Sequence, residues 1–219
     1  MTSRDDLIAS LSSDLAPVKP VGRVEVWAYG WLLASTFYVV AIIHLMGPVR
    51  PEAIAQLTSQ MRFLGEMLIG ATAIVLLTLG AFRSSVPGLS YRGISGAGIA
   101  LMSLWISLFL IGLEWPALEP SMSGKRHYCV IETFLYAVPP VLLALFILRR
   151  FYPLNTTRIA ATVCLAAGML PALYMQIACM YIPAHILKFH VVPGLAVGAL
   201  GAGLALLVSR RSRNSRNNP

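Results

Sequence analysis

Residues 27–46 read WAYGWLLASTFYVVAIIHLM, with no Asp, Glu, Lys or Arg among them. At 1.5 Å per residue, a helix of about twenty residues spans a ~30 Å hydrocarbon core. Lipid offers no partner to a free backbone N–H or C=O, so a block of this kind must be helical. Outward from it, apolar blocks of similar length recur at 61–82, 96–115, 131–148, 159–179 and 187–208. The whole chain of 219 residues is 57% hydrophobic and 12% charged, where a soluble domain carries about a quarter charged residues. Mean hydropathy is +0.73. These observations predict an all-α integral membrane protein, a bundle of six transmembrane helices in one domain over 24–209. A leader of residues 1–23 precedes it and a basic tail of residues 210–219 follows. The first block begins after 26 mostly polar residues, and AIIHLMGPVRP (41–51) carries no A-x-A cleavage site. It is expected to stay in the membrane as a span rather than be removed as a signal peptide.

Lys and Arg set the orientation, because they accumulate on the cytoplasmic side. With the amino terminus inside, that side holds Arg4, Lys19, Arg23, Arg83, Arg92, Arg149, Arg150, Arg158, Arg210, Arg211, Arg213 and Arg216. The other side holds Arg50, Arg62, Lys125, Arg126 and Lys188, a split of 12 to 5 that accounts for all 17. Both termini are therefore expected inside. The tail SRRSRNSRNNP (209–219) reads as part of this bias, with no direct nucleic-acid role.

In the leader, Ser3 and Asp6 have the spacing of a capping box, with Asp in place of the preferred Glu. Leu7, Ile8, Leu11 and Leu15 fall at i, i+1, i+4 and i+8, one face of a short helix that Pro17 and Pro20 end. Three turns are too few to be stable alone in water. The stripe must bury itself on something, and Asp5, Asp6 and Asp14 argue against an anionic bilayer surface. A groove on a partner protein fits better. The inner loops RSSVPGLSYRGISG (83–96) and RRFYPLNTTR (149–158) carry turn chemistry and charge but no catalytic constellation and no phosphate-binding loop.

The outer face carries the thiols. Cys129 sits near the end of the loop EWPALEPSMSGKRHYCVIET (114–133), at the mouth of the fourth span. Cys179 ends the fifth span and opens the turn CMYIPAHILKFH (179–190). The two lie at one depth on neighbouring antiparallel helices. Cys164 lies fifteen residues before Cys179, roughly 22 Å along the helix, and reads as a core filler. His127, His185 and His190 gather at the same rim. Thiolate with imidazole suits a soft or borderline metal, held here only transiently, with no resident cofactor. Two neighbouring thiols also suit a disulfide. The spacing is not that of a zinc finger. Arg62 and Glu66, at i and i+4, are expected to pair. The ionisable groups in the spans, Glu66, Glu114 and His44, form no midplane row of the kind an ion pathway wants.

The stretches DDLIASLSSDLAPVKPV (5–21), RSSVPG (83–88), CVIET (129–133) and CMYIPAHILKFHVVPGLAVGALG (179–201), in this order, resemble the NrsF family. Its members are six-helix bacterial inner-membrane regulators that restrain an extracytoplasmic-function sigma factor. The resemblance implies an anti-sigma factor, not an enzyme, acting in a stress response. Its amino-terminal segment would hold the sigma factor, and Cys129 and Cys179 would be the signal-sensing cysteines, with His185 beside them. Two other classes compete. A membrane redox or haem protein would use His44, His185 and His190 as ligands. A small transporter is disfavoured by the missing midplane charges.

Overall fold

The computed structural model describes residues 3–13, 22–89, 92–151 and 153–217. Those residues are all-α: α1 Arg4–Ser13, α2 Val24–Met46, α3 Ala53–Ser59, α4 Met61–Ser84, α5 Arg92–Gly112, α6 Cys129–Leu148, α7 Thr156–Ala178, α8 Pro183–Ile186 and α9 Val192–Asn217. A 3₁₀ turn follows α6 at Arg149–Phe151, and a π-helical turn at Leu187–Val191 joins α8 to α9. Six helices are long and apolar enough to cross a membrane: α2, α4, α5, α6, α7 and the α8–α9 rod. Large apolar side chains such as Leu33, Phe37, Leu45 and Leu204 point outward, as lipid-facing positions do.

Successive spans run antiparallel, which gives the bundle two ends. At one, Arg83 near the end of α4 pairs with Glu25 at the start of α2. At the other, the Arg50 N–H bonds the Ala178 carbonyl at 2.9 Å, and Arg126 reaches the Ile43 carbonyl at 2.6 Å. These are called the terminal end and the thiol end. The middle of the bundle is α7, whose apolar window is 78% buried against 22–50% for the other spans. It packs on α2, α4, α6 and α9, and α5 packs on α4. The Trp31 indole N–H bonds the Pro140 carbonyl at 2.9 Å and joins α2 to α6.

Helices in lipid gain little from hydrophobic exclusion, so close backbone approach does more of the work. A Cβ added to Gly168 on α7 would lie 2.5 Å from the Gly194 carbonyl oxygen of α9. That neighbour is backbone and cannot turn aside. Gly168→Ala is therefore expected to push α7 and α9 apart and cost about 1–3 kcal/mol. Thermal unfolding of the detergent-purified protein checks this, and an unchanged midpoint would count against the close packing. Cys164 is buried on the same interface, and a Cβ on Gly201 would lie 2.5 Å from its Sγ. It fills core at the level expected from its position, away from the other two thiols.

The leader helix α1 starts as its capping signal implies: the Ser3 N–H donates to Asp6 Oδ2 at 3.1 Å. Leu7, Ile8 and Leu11 are 54–64% exposed. The rest of its surface is mild, with Ala9, Ser10, Ser12 and Ser13 rather than charges around the last turns. Leu15, with Asp14, Pro17 and Pro20, lies outside the described residues.

Three features differ from the expectation. Residues 53–59 form α3 in the first loop at the thiol end, its Ala53 buried. The stretch 183–186, expected in the turn that leads into the sixth span, is already helical from Pro183, because proline at the first helical position has no N–H to leave unpaired. And Arg50 and Arg126, counted as outer-loop charges, are 2% and 5% exposed. Both guanidiniums are enclosed by protein.

Candidate functional site

Three chain segments meet at the thiol end. Cys129 is the first residue of α6, Cys179 follows the last residue of α7, and His185 and His190 lie on the α8–π-turn segment. Their metal-capable atoms all lie within 4.8 Å of one another. Cys129 Sγ is 3.9 Å from Cys179 Sγ, and Cys179 Sγ is 3.6 Å from His185 Nε2. All three cysteines of the chain are free and buried.

The π-turn aims the histidines. In an α-helix, residues five apart point about 140° away from each other. A turn closed by i→i+5 bonds brings them back toward one face. Here the Val192 N–H bonds the Leu187 carbonyl. The sequence cause is Pro193, which has no N–H to give to the Phe189 carbonyl four residues back. That carbonyl lies 3.4 Å from Thr133 Oγ1 on α6 instead.

Thr133 also favours one His190 tautomer. Its single hydroxyl proton goes to a carbonyl, that of Cys129 at 2.8 Å or of Phe189 at 3.4 Å. Its oxygen is then the acceptor for His190 Nδ1, 3.0 Å away. With the proton on Nδ1, Nε2 carries a lone pair. His190 is fully buried, and Nε2 has no hydrogen-bond partner.

Arginines frame the cluster. Arg126 donates to the Pro48 carbonyl at 3.1 Å and to Glu132 at 3.1 Å, besides its bond to Ile43. It thereby closes the end of α2 onto the first turn of α6. Arg50 lies 5.5 Å from the centre of the Phe63 ring and 5.6 Å from that of Tyr181. Burial pulls its guanidinium below the ordinary range, and Tyr181, Glu52 and Cys179 oppose that. Glu66 accepts from Gln176 at 3.1 Å and pairs with Arg62 at 3.6 Å, the i, i+4 contact expected from sequence. The long loop closes over this end through Gly124, whose φ of +77° and close approach to the Ala178 carbonyl exclude a side chain.

The Cys179 thiol is held far below its ordinary range. The first cause is the hydrogen bond with the Cys129 thiol, and the His185 imidazole adds to that against the upward pull of burial. A thiolate is the reactive and metal-binding form. A cavity of about 340 Å³ reaches the cluster, lined by Cys129, Met180, His185 and Phe189 inside and by His127 and Tyr128 at its mouth. His127 is exposed and outside the group of four. His44 is also apart, its Nε2 2.7 Å from the Tyr174 hydroxyl, and does not face His185 or His190 as a bis-histidine haem would require. Sequence reasoning passed over Thr133, Arg126 and Gln176. Thr133 was the findable one, four residues after Cys129 and so on the same helical face.

No curated protein and no solved structure matches the chain. The model of the NrsF family, negative regulator of sigma F, matches residues 11–210, from within the leader to the end of the last apolar span, and the chain belongs to that family.

Proposed function

We propose that the chain is an anti-sigma factor of a bacterial inner membrane. Its leader sequesters an extracytoplasmic-function sigma factor at the cytoplasmic face, and a periplasmic thiol-reactive signal, metal or oxidant, releases it through Cys129 and Cys179 with His185 beside them. Family membership carries this reading. Two observations support its halves. Leu7, Ile8 and Leu11 stand exposed on one face of α1, as an unoccupied partner-binding stripe does. At the thiol end, two cysteines from different helices lie 3.9 Å apart beside a cavity. The charge bias supports the orientation more strongly than a bare count. Arg50 and Arg126 are enclosed by the protein, so Arg62, Lys125 and Lys188 remain as exposed charges at the thiol end, against the 12 that the sequence assigns to the other side. The protein acts here as a regulator rather than an enzyme.

The test is co-purification of the full chain from membranes with each sigma factor of the host, with and without residues 1–20. The intact chain is expected to retain one sigma factor and the truncated chain none. Retention by the truncated chain would place the binding surface elsewhere. Reporter fusions after Pro219 and near Ser121 check the topology, with activity expected inside for the first and outside for the second.

A further inference from the structure

We infer that Cys129, Cys179, His185 and His190 form a complete four-coordinate site for a divalent d¹⁰ cation of the zinc–cadmium class, with Thr133 as the residue that positions His190. The inference deepens the reading of the thiol end as a sensor and rests on that reading for its regulatory meaning, though not for the binding itself.

Two distances in the cluster match an ion rather than a disulfide, and the group as a whole, whose ligand atoms lie within 4.8 Å, would tighten onto it. Metal bonds of ~2.3 Å to sulfur and ~2.0 Å to nitrogen at tetrahedral angles put two sulfurs about 3.8 Å apart, and sulfur and nitrogen about 3.5 Å apart. The thiols are 3.9 Å apart, and Cys179 Sγ is 3.6 Å from His185 Nε2. A disulfide needs ~2.05 Å, so the two sulfurs would have to close by nearly 2 Å.

The second observation is independent of the thiols. His190 Nε2 is buried with no hydrogen-bond partner, and a ring nitrogen of His190 lies within 4.8 Å of the other three ligand atoms. Buried polar atoms are rarely left so, and each one asks for an explanation. A disulfide has no proton to give and leaves it orphaned, whereas a cation at the centre satisfies it. Thr133 on the far ring nitrogen is the outer partner that metal-bound histidines ordinarily have. On binding, the cation gains two Sγ and two Nε2 bonds, any remaining thiol protons leave to solvent, and no electron moves. One atom then ties the first turn of α6, the end of α7 and the start of the α8–α9 rod. In this reading His127, exposed at the mouth of the cavity, lies on the path in.

The test uses the full chain in detergent under a phosphine reductant, titrated with Co(II), which reports tetrahedral thiolate ligation by its visible absorption, and then with Zn(II) or Cd(II) in competition. One Co(II) per chain, displaced by Zn(II) and lost in Cys129→Ser and His190→Gln, is expected. No tetrahedral complex, or one indifferent to His190→Gln, overturns the site. If His190→Gln does not fold, Thr133→Val decides. It should keep the stoichiometry and weaken affinity by about 10–100-fold, with Thr133→Ser restoring it, and unchanged affinity overturns the assignment. Because no sigma factor is present, these outcomes are separate from the co-purification. Metal binding without sigma-factor capture would sink the regulator reading alone, and the converse would sink the site alone.

Discussion

Leu7→Asp combined with Leu11→Asp is expected to weaken sigma-factor binding by at least two orders of magnitude. Each leucine that goes from water into a partner's groove contributes roughly 1.5–3 kcal/mol, and each 1.4 kcal/mol is a factor of ten. Both side chains are more than half exposed in the free chain, so the substitutions cost its own fold little. At position 7 the new Asp is near the amino terminus of α1, where the helix dipole favours it; position 11 is in the last turn, where the dipole disfavours it, and Leu11→Asn tests the same contact without that charge. The loss is therefore read at the interface. Ser12→Ala is the control. Its hydroxyl already bonds the Ala9 carbonyl at 3.0 Å, so it offers a partner little. Affinity of the purified pair and reporter expression at matched protein abundance measure the effect. Full restraint of the sigma factor by the double variant would refute the leucine stripe as the contact.

Much of the architecture was legible because depth in a membrane is written along the chain. A block of about twenty apolar residues fixes where each span starts and stops. It therefore fixed that Cys129 and Cys179 share one end of the bundle while Cys164 does not. The short connection over 149–155 made α6 and α7 antiparallel neighbours, and the thiols meet across that pair. Direction around each helix axis was not legible, because it depends on which neighbours each helix acquires. His190 is the clearest instance. Its spacing from His185 points it away on a regular helix, and only the π-turn forced by Pro193 brings it inward. The same blindness made Arg50 and Arg126 look like loop charges. Nothing in their local sequence announces that one lies against Phe63 and Tyr181, or that the other closes the end of α2.

Cys129→Ser and Cys179→Ser are each expected to abolish the response to the inducing signal, with the regulator still present in the membrane at normal abundance. A signal acts only through its different affinity for two states. A hundredfold release of the sigma factor needs about 2.7 kcal/mol of such difference, within what a thiolate–metal site or a disulfide supplies. Where that energy enters decides how it is transmitted. Cys179 closes α7, the helix in contact with α2, α4, α6 and α9. As a rod of 23 residues, it runs about 34 Å to the terminal end. Drawing its thiol end toward Cys129 and the α8–α9 rod shifts a packed helix at the centre of the bundle, and packed interiors respond by changing arrangement rather than by stretching. Either thiol alone leaves the site incomplete. The double variant should therefore look no worse than either single one, a non-additivity that two independent reactive cysteines would not produce. Cys164→Ser is the matched control. It alters a buried thiol on the α7–α9 interface without touching the cluster, so a small loss of stability is expected with induction intact. Normal induction in the double variant would remove the sensor from the thiol end, and loss of induction in Cys164→Ser would trace the effect to α7 packing rather than to the site.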